Sequence, residues 1–203
     1  MVLRLEYSLF ANSECGVTKP QDIVVALKLC LSGAERPFAV LAAELGMSAS
    51  EVHGACVRLV EARLLEAGGR RIRRAALREF LRGGVPYAFP AQLGELTRGV
   101  PTAWAAPVMA GKVAVADAAI PVWPDPDGTR QGLAVEPLYG SVPAAAKRDP
   151  ALYDLLALVD ALRIGRARER KFAERTLEKR LSHEPSEKAS RPSKPGQRKA
   201  AHG

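Results

Sequence analysis

Cysteine, histidine and aromatic side chains are scarce in this chain. Among 203 residues there are three cysteines and three histidines, and aromatics make up 5%. Cys15, Cys30 and Cys56 are odd in number, and neither they nor His53, His183 and His202 fall at metal-ligand spacing. That pattern excludes a zinc site or a disulfide framework and leaves reduced thiols packed in a core. No run of about 18 apolar residues occurs, so no membrane span is expected. The opening MVLRLEYSLFANSEC carries Glu6 within its apolar stretch and lacks the hydrophobic centre of a signal peptide. The expected location is cytoplasmic. Also missing are a nucleophile–base set, a glycine loop for phosphates and a supported carboxylate pair. PDPDG at 124–128 lacks the ligand spacing and closing glutamate of a calcium loop, and is a turn. The chain is therefore read as not an enzyme, with no cofactor and no metal.

What is present is basic charge, unevenly placed. The net charge is +8, yet residues 1–162 hold 17 basic and 17 acidic groups; the excess sits in residues 163–203, with 13 against 5. A second concentration hides in the balanced part, where residues 58–82 carry eight arginines and three glutamates. Two local basic patches imply a polyanionic partner more strongly than the total does.

Texture divides the chain into five segments. Residues 1–19 form an N-terminal segment, and residues 20–83 are densely patterned and poor in proline. Residues 84–148 hold both tryptophans and most of the prolines, and are expected to wrap irregularly over a helical core, with Phe89, Trp104, Trp123 and Tyr139 as anchors. Plain packing is preferred there over an aromatic-lined pocket for a small-molecule effector. Asp149-Pro150 is a strong helix opening. Residues 149–182 are expected to form one long basic C-terminal helix of about 48 Å at 1.5 Å per residue, with Gly165 a weak point. The tail at 183–203 has almost no apolar anchor and is expected to be a disordered basic tail.

In the second segment, Pro20 suits a first helical position, and Ile23, Val24, Leu27, Cys30 and Leu31 recur at helical steps, with a stop at Ser32-Gly33. Phe38, Leu41, Ala42 and Leu45 share a face of a second helix ending at Gly46, where a left-handed residue is wanted. Ser48 and Glu51 have the spacing of a capping box. The third helix then turns Val52, Ala55, Cys56 and Leu59 inward. Ser50, His53, Gly54, Val57 and Arg58 are left on a small, polar outer face.

Two helices joined at Gly46-Met47 make a helix-turn-helix, whose second member enters the major groove of DNA. The next residues, ARLLEAGGRRIRR, predict a strand at Leu64–Glu66, a Gly68-Gly69 tip and a returning strand around Ile72, with Arg71 and Arg73 outward. RRAALREFLRGG supplies another helix. Over residues 20–81 this order resembles the MarR-like winged helix-turn-helix regulators of bacterial transcription. The resemblance implies a fold that is mainly α with a small β-wing, followed here by the proline-rich irregular segment and the long C-terminal helix. It also implies a sequence-specific, double-stranded DNA-binding transcriptional regulator.

On that reading Arg58, Arg70, Arg71 and Arg73 supply phosphate contacts. Ser50, His53, Gly54 and Val57 are the candidates for base-edge contacts, Val57 suiting a thymine methyl, and the capping Ser48 is counted with them in the DNA-binding set. His53 could equally contact a phosphate or stand in water. The 149–182 helix is the candidate homodimer surface, since two half-sites one helical turn apart favour a two-fold reader. The departures from the family pattern are the proline-rich zone and the C-terminal helix. The rival expectation is a protein-interaction module, such as an antitoxin or adaptor for a partner enzyme. A third is an RNA-associated protein that uses the tail on shaped RNA.

Overall fold

The computed structural model describes residues 17–32, 36–68, 71–112 and 120–182. The basic tail, the first sixteen residues and the Gly69-Arg70 tip fall outside them. Helices predominate: α1 Pro20–Ser32, α2 Phe38–Leu45, α3 Ala49–Glu61, α4 Arg74–Gly83, the one-turn α5 Val85–Ala88, α6 Val142–Arg148, α7 Pro150–Ile164 and α8 Ala167–Leu181. Three short strands, β1 Leu93–Pro101, β2 Pro121–Pro124 and β3 Arg130–Val135, lie between α5 and α6.

The first three helices begin and end where local chemistry requires. Proline at the first position of α1 has no N–H to leave unsatisfied. Gly46 closes α2 at φ 66°, a left-handed conformation that glycine adopts without a Cβ penalty. Ser48 Oγ accepts the Glu51 N–H at 3.1 Å, while Ser48 N–H donates to the Glu51 carboxylate at 2.8 Å. This reciprocal cap satisfies two of the donors that a helix start leaves orphaned. Behind it Val52, Ala55, Cys56 and Leu59 are buried against α1 and α2.

The expectation of an irregular segment at 84–148 is corrected. Its strands close a small barrel: β1 runs antiparallel to β2 (Val100 opposite Trp123) and to β3 (Thr97 opposite Gly132), and β2 runs parallel to β3 (Pro121 opposite Leu133). Prolines do not break these strands because Pro101, Pro121 and Pro124 sit at their ends, where a missing N–H costs least. Glycine permits the tight closure. A Cβ on Gly99 would stand 2.0 Å from the Trp123 carbonyl oxygen, and one on Gly132 would stand 2.1 Å from that of Ile120. Gly99→Ala must therefore push two backbones apart. The expected loss is about 1–3 kcal/mol or more, read as a lower urea midpoint; an unchanged midpoint would show that the barrel is looser than described.

The single long helix expected at 149–182 is also corrected. It breaks at Gly165, whose backbone is extended (φ −70°, ψ 154°) and where a Cβ would meet the Ala161 carbonyl oxygen at 2.3 Å. The chain reverses there, and α8 returns along α7, so that Arg180 near the end of α8 pairs with Asp154 near the start of α7 at 2.7 Å. Of the sparse apolar members of α8, Leu177 and Leu181 are buried within the chain and Phe172 is half-buried against the core.

One hydrophobic cluster runs through the helical head, the barrel and the α7–α8 hairpin, and Phe89, Trp104, Trp123 and Tyr139 all reach it. No helix among the described residues is long and apolar enough to cross a membrane.

Candidate nucleic-acid interface

The surface singled out from sequence is built on α3 and the hairpin behind it. Ser50 and His53 are exposed, Gly54 is half-exposed and Val57 is 45% exposed. They share one side of α3 because residues three and four apart are neighbours on a helix. His53 stands edge-on to Phe38 at the start of α2, ring centroids 5.5 Å apart. Ser48 is exposed too; its oxygen accepts the Glu51 N–H, and its hydroxyl also bonds the Glu51 carboxylate.

After α3 the chain turns through Arg63, at φ 57°, and forms a minimal antiparallel hairpin with a bridge between Leu65 and Ile72. Glu66 N–H donates to the Arg71 carbonyl, and Arg73 N–H to that of Leu64. Ile72 is buried, so Arg71 and Arg73, its neighbours on either side, both project to the opposite, exposed face. Arg70, assigned to the same contact set, lies outside the described residues.

Arg58 departs from its expected role. Its guanidinium turns inward and grips Asp22 of α1 with two bonds, Nε at 2.8 Å and Nη2 at 2.6 Å. Asp22 is wholly buried and also accepts the Lys19 N–H at 2.8 Å. A fork-to-carboxylate bond of this kind is shorter and stronger than a neutral one. It fixes α3 on α1 and withdraws Arg58 from the phosphate contacts.

Three further residues bear on this surface: Tyr139, expected from sequence only as a packing anchor, and Ser141 and Arg148, given no part in it. Tyr139 donates its phenolic hydrogen to the second oxygen of the Glu51 carboxylate. Ser141 Oγ donates to the Leu45 carbonyl at 2.5 Å, and Arg148 donates to the Glu44 carbonyl at 3.2 Å, so two carbonyls that end α2 are capped from far along the chain. The Tyr139 bond, with the Ser48 backbone and hydroxyl after it, holds the Glu51 carboxyl down at about 2. Both Glu51 oxygens are thus committed to architecture, which removes Glu51 from base reading.

Below the turn, buried Lys28 of α1 forms ion pairs at 2.7 Å with Glu44 of α2 and with Asp149, the cap of α7. Burial pushes the Asp149 carboxyl upward, and the Lys28 ammonium with the α7 amides more than reverses this, leaving it below its ordinary range. At Glu44 burial likewise pushes upward, and the Lys28 ammonium together with the Arg36 guanidinium more than reverses it. Head and C-terminal half are therefore joined by charge as well as by apolar packing.

A cleft of about 300 Å³ opens between α4 and α8. Its charged lining is balanced, with Arg78, Arg82 and Arg175 against Glu79, Glu174 and Glu178, and none of the aromatic anchors lines it. No family model, no curated protein and no solved structure matches the chain.

Proposed function

We propose that the chain is a winged-helix protein that binds double-stranded DNA and regulates transcription, with α3 as its reading helix and the 64–73 hairpin as its wing. The observation that carries this reading is the outer side of α3. Ser50, His53 and Val57 are exposed on a helix held in place by a reciprocal cap at one end and the Arg58–Asp22 pair toward the other. Such a surface is small enough to enter a major groove, whose base edges offer hydrogen bonds and thymine methyls. Arg71 and Arg73, exposed together on the hairpin, suit phosphates because guanidinium stays charged and forks onto two oxygens. The contact set is Ser48, Ser50, His53, Gly54, Val57, Arg71 and Arg73, with Arg70 as a further candidate on sequence grounds.

A salt titration of duplex binding tests the wing. Each neutralised phosphate contributes a slope of about 0.9 in log K against log salt. The Arg71→Ala, Arg73→Ala double variant should therefore show a slope shallower by about 2. An identical slope in wild type and variant would take the wing out of the interface.

A second reading, a module that docks a partner protein, is favoured by a different observation. Tyr87 of α5 is 76% exposed and Leu96 of β1 69% exposed, and among the described residues the first half of β1 pairs with β3 alone. Co-purification of a partner without retention of any duplex would favour it.

A further inference from the structure

We propose that Tyr139 is a positioning residue for nucleic-acid reading: anchored in the C-terminal half, it sets the pose of the first turn of α3 through its bond to Glu51. The inference rests on the reading of α3 as a DNA-reading helix and assigns the control of its pose to a residue 88 positions away.

The turn between α2 and α3 is gripped on one side by the segment from Tyr139 to Asp149. Ser141 and Arg148 take the Leu45 and Glu44 carbonyls, and a Cβ built on Gly46 would already stand 3.1 Å from Ser141 Cβ. These contacts hold the backbone up to Gly46. Tyr139 reaches past the turn to a side chain of α3 itself. It does so at Glu51, beside the proposed base-reading positions Ser50 and His53.

Glu51 has one oxygen on the Ser48 N–H and the other on the Tyr139 hydroxyl. The carboxylate is thus a two-sided clip: its cap bond orients it to the helix axis, and the phenol orients it to the rest of the molecule. Ser48 carries the other half of the capping box. A shift of the phenol therefore moves the cap that carries the reading surface. Tyr139 itself packs its ring on the core, so its hydroxyl has little freedom to follow a wandering helix.

The test uses the full chain, a duplex enriched by the wild type from a randomised pool, and a scrambled duplex of equal length. Tyr139→Phe keeps the ring and removes the hydroxyl. Discrimination between the two duplexes should fall roughly tenfold, the size of one mispositioned base contact, while the salt slope stays unchanged because the phosphate contacts are untouched. Glu51→Ala should lower discrimination as well, and adding Tyr139→Phe to it should change nothing further, since coupled residues are not additive.

Hydrogen exchange supplies a readout free of DNA. Amides of Glu51 and Val52 should exchange faster in Tyr139→Phe, with those of α1 unaffected. Full discrimination and unaltered exchange in Tyr139→Phe overturn this role and leave the DNA reading intact. A wild type that enriches no sequence overturns the DNA reading and this role with it. Losses that add in the double variant show that Tyr139 acts elsewhere than through Glu51, and also overturn it.

Discussion

Arg58→Ala is expected to cost about 3–5 kcal/mol of folding stability, because it strands the buried Asp22 carboxylate without its counter-ion. The side chain of Asp22 is fully buried, whereas that of Arg58 is 17% exposed, so the penalty falls on the residue left behind. Water cannot readily replace the two donors, and an unpaired carboxylate in a closed site bears its full desolvation cost. For a chain of this size the melting temperature should drop by roughly 6–20 °C. In urea the midpoint should fall with little change in slope, the mark of altered stability rather than an altered denatured state. Arg58→Lys should be intermediate: it restores charge but not the fork. A loss under about 1 kcal/mol would mean that the pair behaves like a surface ion pair, and α3 would lose the clamp on which its pose depends.

The second large effect is expected at Asp160, in the middle of α7. Its carboxylate gathers the Trp123 indole N–H at 2.6 Å, the Thr102 hydroxyl at 2.9 Å and the Arg163 guanidinium at 2.6 Å. Arg163 reaches on to the carbonyls of Phe89 and Glu136, and Tyr153 of the same helix donates to that of Pro101. Burial pushes the Asp160 carboxyl upward, and Arg163, Thr102 and Trp123 pull against it. Asp160→Ala leaves the buried Trp123 and Thr102 donors without their acceptor and takes the counter-ion from the Arg163 guanidinium, which keeps its two carbonyls, again about 3–5 kcal/mol. Replacing both ionic partners, as in Asp160→Leu with Arg163→Met, should recover much of that loss, since apolar substitutes have no charge to strand. Urea unfolding followed by tryptophan fluorescence would report both the midpoint and the Trp123 surroundings. A double variant as unstable as the single one would show that the carboxylate holds the barrel to α7 by geometry that leucine cannot replace.

These two nodes mark where sequence reasoning succeeds and where it stops. The start of α1, the end of α2 and the start of α3 were legible because their causes are local: a proline at the first turn, a left-handed glycine, a serine three residues before a glutamate. The hairpin was legible for the same reason, and with it the outward direction of Arg71 and Arg73. Arg58 was misjudged because the helical pattern gives a face but not a partner; Asp22 lies 36 residues earlier, and nothing in their spacing links them. The barrel escaped because its strands are four to nine residues long and two of them end in prolines. Its diagnostic residues, Gly99 and Gly132, signal close backbone approach only once the approaching strand is known. At 149–182 the apolar stripes of the two halves were visible, and Gly165 stood between them. Whether such halves stay collinear or fold on each other depends on tertiary burial, which local propensity does not encode.

The grip of residues 139–149 on the α2–α3 turn also has a temporal side. Arg148 enters the chain 104 residues after the Glu44 carbonyl that it caps. At roughly 5–20 residues per second of synthesis, that interval is about 5–20 s. For those seconds the nascent head carries bare α2 carbonyls, an α3 clip with one jaw empty and Lys28 without Asp149. The full set of contacts on the α2–α3 turn is therefore complete only once the last third of the polypeptide has been made.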